Sequence, residues 1–325
     1  MLKNVAILTS GGDAPGMNVV CSIAIKYLIS LNITPYLIYN GFKGIINKEF
    51  KKGSIKFANH IFNLGGSIIK SARFVEFEQK KVQEQAAQNL KELGIDALIV
   101  VGGDGSFIGA SKLEQFNIKC IGIPASIDND ICASEYSIGF DTCLNTIKKA
   151  IMQIYDTSYS HHRCMIIETM GRNCGDLAFY GGLATNAKII IISKLKIAKK
   201  DLIAKIKQIK EFENIIIVVS EHLYDCVQLA KEIEQETKIV TRANVLSHIQ
   251  RGGAPSAFDA ILATKLTIFA IEQLIIKNKS NVFVGIKNNC LITTPISENT
   301  NVNDSKTKQF QKYLKTWNLI QNIKN

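Results

Sequence analysis

The sequence predicts an α/β protein of two doubly wound domains, with mainly parallel sheets and an active-site cleft between them. Short runs of nearly continuous Ile and Val alternate with stretches of helical periodicity along the 325 residues. This alternation is typical of parallel strands that are covered by helices on both faces. The predicted strands are also too numerous for a single sheet, so two domains are expected.

The first part of the chain sets the pattern. Val5–Thr9 is an uninterrupted apolar run that stops at a glycine turn, and helical spacing follows over about residues 16–30. Pro35–Tyr39 is the next strand-like run. Apolar residues at helical spacing over about residues 82–93 predict a helix, and Gly94 supplies its stop signal.

The rest of the chain repeats this alternation. Further apolar runs predict buried strands at Asp96–Val101, Lys119–Ile123, Cys164–Glu168, Lys188–Ile192 and Ile215–Ser220. Helices are expected over about residues 141–156, 199–212 and 225–236, in a long segment after Pro255, and over Ser305–Asn322. Ligands in such sheets bind outside the carboxyl ends of the strands, so the loops there are the candidate sites.

Composition and charge exclude several classes of protein. Hydrophobic residues make up 46% of the chain, and no apolar run approaches the roughly 20 residues of a membrane span. The net charge of +11 comes from lysines spread along polar helix faces, so neither nucleic acid nor a membrane is expected as a partner. The opening residues run straight into a glycine turn, which argues against a signal peptide. The eight scattered cysteines form no CxxC pair, which indicates buried thiols in a reducing cytoplasm.

Arginine is rare in this chain. Of 39 basic residues only five are arginines, namely Arg73, Arg163, Arg172, Arg242 and Arg251. Because lysine is used wherever a simple cation suffices, these five are candidates for binding phosphate or carboxylate through a planar, bidentate group. The alternative is that they are arbitrary survivors of a compositional bias.

Two glycine-rich loops follow predicted strands. LTSGGDAPGMN (residues 8–18) offers backbone N–H groups to an anion, although a tight turn before a helix also favours glycine. VGGDGSF (residues 101–107) is more specific, because three glycines let a phosphate chain approach the backbone and Asp104 supplies a hard oxygen for Mg²⁺. Neither loop is a Walker A or GxGxxG motif. We therefore expect phosphate binding of the kind found in nucleotide kinases that lack a Walker motif.

GIPASIDNDI (residues 122–131) places a hydroxyl and two carboxylates, those of Ser126, Asp128 and Asp130, directly after a buried strand. By itself the pattern also fits a structural turn, since Asp and Asn bond their own backbone. Beside the GGDG loop a site is favoured, because phosphoryl transfer needs one carboxylate to take the proton of the attacking hydroxyl. The second carboxylate can face the metal or its waters.

The remaining polar loops carry the arginines. SARF (71–74), SHHR (160–163), ETMGR (168–172) and TRANVLSHIQRGG (241–253) contain all five, and Glu221 and His222 end a predicted strand. A sugar phosphate needs cations for its phosphate and a carboxylate for its hydroxyls, and these loops supply both. His248 also fits a structural histidine, but its place three residues before Arg251 favours a phosphate ligand.

Taken in order and spacing, LTSGGDAPGMN, SARF, GGDGS, IDND, SHHR, MGR, SEH and HIQRGG resemble the bacterial-type 6-phosphofructokinase family over residues 1 to about 290. The resemblance implies a cytoplasmic homotetramer that transfers the γ-phosphoryl of MgATP to the 1-hydroxyl of fructose 6-phosphate, the committed step of glycolysis. It implies an ATP-binding domain of residues 1–138 plus 251–300. Residues 139–250 plus 301–325 would form the domain that binds fructose 6-phosphate.

The resemblance also implies a role for each matched residue. Asp128 would be the base, assisted by Ser126 and Asp130, while Arg73 and Arg172 would stabilise the phosphoryl in flight. The nucleotide contacts would be Gly11, Arg73, Phe74, Gly103, Asp104, Gly105 and Ser106, with Asp104 on Mg²⁺. The sugar phosphate contacts would be Ser126, Ile127, Asp128, Asp130, Met170, Gly171, Arg172, Glu221, His248, Ile249, Gln250 and Arg251, with Arg163 and Arg242 reaching into the neighbouring subunit's site.

Two positions bear on the phosphoryl donor. Pyrophosphate-dependent relatives typically carry Asp where this chain has Gly105 and Lys where it has Ala125, so ATP is the favoured donor. Ala125 replaces a usual Gly, which matters only if the backbone there needs a positive φ. Glu78 replaces an Arg that relatives often have near the nucleotide, which leaves nucleotide affinity and preference open.

The effector site is the larger departure from the family. Where allosteric relatives have a cluster of cations, this sequence has Ser22, Lys26, Ile55 and Tyr155, and residues 211–214 (Glu-Phe-Glu-Asn) replace a lysine-rich stretch. One cation holds a diphosphate weakly in water. We expect weak or absent control by ADP or phosphoenolpyruvate.

Three rival functions remain. A pyrophosphate-dependent phosphofructokinase is the first alternative. A lipid or NAD kinase would share GGDG but would not explain HIQRGG with five placed arginines. A non-catalytic paralogue that binds sugar phosphate is the third, and the intact Asp104, Asp128 and Arg172 argue against it.

Overall fold

Most of the strands coincide with apolar runs of the sequence. The structure, a computed structural model, describes residues 2–172, 174–209, 214–298 and 304–321. Its strands are β1 (Asn4–Thr9), β2 (Thr34–Ile38), β3 (Phe50–Lys52), β4 (Ala97–Gly102), β5 (Lys119–Pro124), β6 (Cys164–Thr169), β7 (Ile189–Ile191), β8 (Ile215–Ser220), β9 (Thr241–Val245), β10 (Val282–Lys287) and β11 (Cys290–Pro295). Its helices are α1 (Met17–Ser30), α2 (Gly41–Ile46), α3 (Ile55–Ile61), α4 (Lys80–Glu92), α5 (Asp104–Glu114), α6 (Phe140–Ser160), α7 (Asp176–Ala184), α8 (Lys199–Lys207), α9 (Cys226–Thr237), α10 (Ala257–Ile275) and α11 (Asp304–Gln321). Short 3-10 turns occur at Val75–Glu78, Ser247–Arg251 and Ile296–Glu298.

Two structural units make up the chain: Met1–Thr142 with Arg251–Asn301, and Cys143–Gln250 with Val302–Asn325. The first contains a seven-stranded sheet of order β11-β10-β5-β4-β1-β2-β3, whose central pairs are parallel and whose outer strands β11 and β3 are antiparallel. The second contains a four-stranded sheet of order β7-β8-β6-β9, parallel throughout. The predicted α/β class with mainly parallel sheets is confirmed.

Each sheet lies in its own apolar core. In the first unit, β1 and β4 present Leu8 and Val100 to a cluster that also contains Leu90 of α4 and Leu113 of α5. In the second unit, the side chains of β6, β7 and β8 on one face pack against α8 and α9. Among the described helices, none combines the length and the apolar character that spanning a membrane requires.

The register of the strands aligns the loops that follow them. In the first sheet Thr9 pairs with Val101, so the loops after β1 and β4 begin at the same level. In the second sheet Thr169 pairs with Ser220, which aligns the loops after β6 and β8. Each set of loops therefore starts at the carboxyl end of one sheet.

Three differences from the sequence prediction concern β9, the β10–β11 hairpin and the end of α8. Residues 241–245, expected within a loop, form the edge strand β9, whose polar sequence lacks the apolar run of a buried strand. The hairpin of β10 and β11 was also not predicted; Asn288 and Asn289 at its turn have φ of 50° and 61°, as two-residue hairpins require. Helix α8 ends at Lys207, short of the expected 212, and residues 210–213 lie outside the described residues.

Candidate active site

Three polar loops meet at the carboxyl end of the first unit's sheet. β1, β4 and β5 are neighbours in that sheet, and they lead into the loops that begin at Ser10, Gly103 and Ala125. The Ser10 N–H donates to the Val101 carbonyl at 2.9 Å, and the Ala125 N–H donates to the Gly102 carbonyl at 3.0 Å. The sheet thus brings the two glycine-rich loops and the carboxylate loop together.

The GGDG loop has an open surface. A Cβ at Gly102 would lie 2.6 Å from Ser106 Oγ, so packing requires glycine there. At Gly103 and Gly105 a Cβ would meet no other part of the protein within 4 Å, and neither residue has a positive φ. Asp104 begins α5, and the N-terminus of a helix attracts anions. Since neither packing nor backbone conformation demands glycine at 103 and 105, the space beside them suits a ligand.

The loop after β1 approaches the same helix. Gly11 has φ +83°, which favours glycine, and a Cβ there would lie 3.6 Å from Ser106 Oγ. Ser106 itself is buried, with 6% exposure. Its hydroxyl therefore lies close to both glycine-rich loops.

The segment with Arg73 and Phe74 is tied to this end of the sheet. The hydroxyl of Thr9, at the end of β1, donates to the Lys70 carbonyl at 2.8 Å. Arg73 is exposed, whereas the Phe74 ring packs against the first unit's core. Glu78, at the end of the following 3-10 turn, is exposed as well.

Bonds within the carboxylate loop fix its shape. Ser126 Oγ donates to Asp130 Oδ1 at 3.0 Å and accepts from the Asp128 N–H at 3.3 Å. Ile127 is 1% exposed, so its side chain offers almost no surface to a ligand. Ala125 is buried and its φ is not positive, so replacing the family's glycine causes no backbone strain.

Arg251 lies beside the loop that follows β1. Its Nε lies 3.2 Å from Asp13 Oδ1 and its Nη2 donates to the Asp13 carbonyl at 2.6 Å. A Cβ at Gly12 would lie 2.2 Å from Nη2, so glycine is required for this approach. The sequence did not indicate this ion pair, since the two residues are 238 positions apart.

A second group of predicted site residues meets at the carboxyl end of the second unit's sheet. The Glu221 N–H donates to the Thr169 carbonyl at 2.8 Å, and Glu221 Oε1 accepts from the Arg172 N–H at 2.8 Å. Gly171 and Arg172 both have positive φ, of 129° and 51°. Such a conformation is costly for arginine. The Arg172 side chain is exposed.

The 3-10 turn Ser247–Arg251, which contains the sequence HIQR, packs against this group through Gln250. Gln250 is fully buried; its Oε1 accepts from the Met170 N–H at 3.1 Å and its Nε2 donates to the Ser247 carbonyl at 2.9 Å. Gln250 thus fixes the start of the loop at Met170. His248 and Ile249, which precede it, are exposed to solvent.

Arg163 and Arg242 lie at the opposite end of the second sheet. Arg163 immediately precedes β6, and Arg242 pairs with Met165 near the amino end of that strand. Arg242 Nη1 donates to Glu234 Oε2 and to the Thr241 carbonyl, both at 2.7 Å. Neither arginine lies with the Arg172 group.

The side chains at two of the predicted effector positions contact other parts of the first unit. Ser22 is fully buried, and its hydroxyl donates to the Ala58 carbonyl at 2.7 Å, joining α1 to α3. Lys26 Nζ lies 5.6 Å from the centre of the Phe62 ring. The other predicted positions are Ile55 in α3, Tyr155 in α6 and residues 211–214, of which 211–213 lie outside the described residues.

Comparisons with known proteins identify the family of the chain. The family model "PFK: Phosphofructokinase" matches residues 4–274. The chain is 44% identical over 299 residues to ATP-dependent 6-phosphofructokinase 1 of Clostridium perfringens, covering 91% of this chain and 93% of the relative. It is 43% identical over 326 residues to ATP-dependent 6-phosphofructokinase of Mycoplasmopsis pulmonis, covering 98% of this chain and 99% of the relative.

Among solved structures, the fold superposes on phosphofructokinase from Saccharomyces cerevisiae with a TM-score of 0.83 and 29% identity. That match covers 98% of this chain and 48% of the yeast chain, so the chain spans about half of its length. A family match over residues 4–274 and these identities over nearly the whole chain show that this protein belongs to the phosphofructokinase family.

Proposed function

We propose that the protein is an ATP-dependent 6-phosphofructokinase that phosphorylates the 1-hydroxyl of fructose 6-phosphate to give fructose 1,6-bisphosphate and ADP. The observation that carries the proposal is the meeting of the GGDG loop and the Ser126–Asp130 loop at one end of the first sheet. One loop has the open backbone that phosphates need, and the other has paired carboxylates. The names and high coverage of the bacterial relatives support ATP as the donor.

The first unit would bind the nucleotide, in keeping with an ATP-binding domain of residues 1–138 plus 251–300. Gly11, Gly103, Gly105 and Ser106 would contact the phosphates through backbone N–H groups and a hydroxyl, and Arg73 and Phe74 would complete the site. The open space at Gly103 and Gly105 supports this, because a side chain at either position would intrude on a bound nucleotide.

The residues present also fit Mg²⁺ carried in with the nucleotide. Asp104 offers one hard oxygen at the start of α5, beside the open surface of the loop. No group of three or more acidic, His or Cys side chains in the described residues could hold a metal by itself. This suits Mg²⁺, which takes one or two carboxylates and keeps phosphate oxygens and waters as its other ligands. When bound, it would supply neutralisation of the phosphate charge.

The carboxylate loop would perform the proton transfer. Asp128 would accept the proton of the sugar 1-hydroxyl as the new P–O bond forms and the bond to ADP breaks. Ser126 and Asp130, which bond each other, would orient the acceptor and the transferring phosphoryl. Arg73 and Arg172 would stabilise the negative charge of that group.

The second unit would supply most contacts to fructose 6-phosphate, in keeping with a domain of residues 139–250 plus 301–325. Met170, Gly171 and Glu221 would bind the sugar, and their backbone bonds at the end of the sheet support a preformed site. His248, Ile249 and Gln250 would line it from the adjoining turn, and Arg251 would bind the phosphate of the sugar in place of Asp13.

A homotetramer is part of the proposal. Arg163 and Arg242 would complete the sugar phosphate site of a neighbouring subunit, and their place at the end of the sheet opposite Arg172 supports a role outside their own subunit's site. Static light scattering of the purified protein checks the assembly: a monomeric mass would contradict it.

Buried thiols at Cys21, Cys120 and Cys164 suit the cytoplasm as the location of the protein.

We also infer weak or absent control by ADP and phosphoenolpyruvate. Ser22 uses its hydroxyl in helix packing, and Lys26 is the single cation among the four effector positions. A sigmoidal response to fructose 6-phosphate that ADP relieves would refute this inference.

The test of the function is initial-rate phosphorylation of fructose 6-phosphate with Mg²⁺, with ATP or pyrophosphate supplied in parallel. The Asp128→Asn variant is the control, and its kcat should fall about 10²- to 10⁴-fold if Asp128 is the base. Turnover with pyrophosphate alone would overturn ATP as donor. Tight binding of fructose 6-phosphate without turnover would favour a sugar phosphate sensor.

A further inference from the structure

Asn129 is a buried polar residue between the two carboxylates, and no role in the reaction has been assigned to it. It is 4% exposed and has a φ of 54°, in the left-handed region. Asparagine and glycine tolerate that region better than other residues. Backbone conformation alone therefore restricts the residue at this position.

The side-chain amide of Asn129 spans the loop. Nδ2 donates to the Glu135 carbonyl at 3.1 Å, and Oδ1 accepts from the Ser137 N–H at 2.9 Å. The Ser137 hydroxyl lies 3.3 Å from Asn129 Oδ1 and donates to the Ser126 carbonyl at 2.5 Å. The two side chains thus connect both arms of the loop across its interior.

This pattern requires an amide. An aspartate would keep an acceptor for the Ser137 N–H but would set a carboxylate oxygen against the Glu135 carbonyl. Glycine would keep the φ and lose every side-chain bond. Asparagine is the residue that meets both requirements, since its side chain is donor and acceptor at once.

The far arm of the loop is itself anchored to the sheet. The Glu135 N–H donates to the Ile286 carbonyl of β10 at 2.8 Å, and Ser134 Oγ accepts from the Ile286 N–H at 3.1 Å. At the base of the loop, the Ser126 N–H donates to the Ile138 carbonyl at 3.1 Å. The hydrogen bonds of Asn129 therefore link Asp128 and Asp130 to an arm of the loop that is itself bonded to β10.

We propose that Asn129 and Ser137 form a clamp that positions Asp128 and Asp130 for phosphoryl transfer. The proposal rests on the function proposed above, in which Asp128 is the base. Asn129 is a positioning residue, because it acts through its neighbours. A base must lie within hydrogen-bond reach of its proton, and a misplacement of about 1 Å can cost about 10² in rate.

The test compares Asn129→Gly, Ser137→Ala and the double variant with the control Asn117→Gly. Asn117 also has a left-handed φ, 63°, and lies in an exposed turn of the same unit. We expect Asn129→Gly to lower kcat about 10²-fold with the KM for ATP within about twofold of wild type. Ser137→Ala should lower kcat less, and the double variant should be no slower than Asn129→Gly, because both remove one clamp. The control should retain its kcat.

Three kinetic results would overturn the clamp. The first is wild-type kcat in Asn129→Gly despite a lower melting temperature, which would make the residue structural only. The second is a double variant whose losses multiply, which would make the two side chains independent. If Asn129→Gly does not fold, unchanged kcat in Ser137→Ala is the third.

Amide hydrogen exchange separates this proposal from the proposed function. Residues 126–138 should exchange at least about tenfold faster in Asn129→Gly than in wild type, whatever reaction the protein catalyses. If wild type fails to phosphorylate fructose 6-phosphate, the proposed function falls, and the exchange rates alone judge the clamp. Unchanged exchange would overturn it.

Discussion

The carboxyl ends of the two sheets carry different chemistry on the same architecture. In the first unit, glycines with open space and two half-buried carboxylates follow β4 and β5. In the second, a strained arginine and a carboxylate that bonds its backbone follow β6 and β8. The parallel sheet sets where a site forms, while the residues of the loops decide its chemistry.

Among the variants that test this comparison, the largest effect is expected from a charge placed at the open surface of the first unit. In Gly105→Asp a carboxylate would face the nucleotide phosphates, with a repulsion of about 1 to 4 kcal/mol at about 4 Å, depending on the local dielectric. We expect kcat/KM for ATP to fall roughly 5- to 900-fold. Steady-state kinetics with ATP varied would measure it. The variant Asn117→Asp, which adds the same charge in an exposed turn, should behave as wild type, and equal losses in both would contradict the placement of the nucleotide.

The next effect should be confined to the second unit. Glu221→Ala removes a carboxylate and the acceptor of the Arg172 N–H. A hydrogen bond to a charged group is worth about 1.5 to 3 kcal/mol, so the KM for fructose 6-phosphate should rise about 10- to 100-fold. Glu221→Gln, which keeps an acceptor for the Arg172 N–H, should lose less. A comparable rise in the KM for ATP would break the division of labour between the two units.

A smaller effect is expected from Gln250. Replacing this buried amide by alanine leaves the Met170 N–H and the Ser247 carbonyl without their partner. The free energy of unfolding should fall by about 1 to 3 kcal/mol, seen as a lower urea midpoint. Gln235→Ala on the exposed face of α9 is the matched control, and an equal shift in both variants would show that the buried bonds contribute nothing.

The smallest expected effect on activity concerns the two cores, which resemble each other although the loops differ. Burial raises the pKa of Cys21 in the first unit and of Cys164 in the second to about 12. Both thiols therefore stay protonated and should resist iodoacetamide at pH 8, whereas the exposed Cys290 should react without loss of kcat. Mass spectrometry of the alkylated native protein identifies the sites. Labelling of Cys164 but not Cys21 would show that the second core opens more readily.

Much of the fold could be predicted because buried parallel strands have nearly continuous apolar sequences. The predicted strand Ile215–Ser220 and the observed β8 coincide for this reason. β9 was missed because an edge strand faces solvent, so that its sequence, TRANV, reads like a loop. The same reason applies to β11, the partly exposed outer strand of the hairpin.

The candidate site was predictable only in part. Short motifs such as GGDG and IDND carry their chemistry in adjacent residues, so they can be identified without a structure. The bonds of Asn129 and Gln250 cannot be, because each depends on which backbone groups the folded chain brings within reach. The ion pair of Arg251 with Asp13 likewise joins residues far apart in sequence.

The order of strands in the first sheet has a consequence for synthesis on the ribosome. β5 pairs with β10, so Ile121 can form this pairing only after Val282, roughly 160 residues later in the chain, has been synthesised. At about 5 to 20 residues per second, a nascent β5 stays unpaired on that side for roughly 10 to 30 s. The whole segment that forms the second sheet emerges within this interval. An apolar strand with an unpaired edge can pair with other chains. The nascent protein is therefore most exposed to aggregation, and most in need of a chaperone, during this interval.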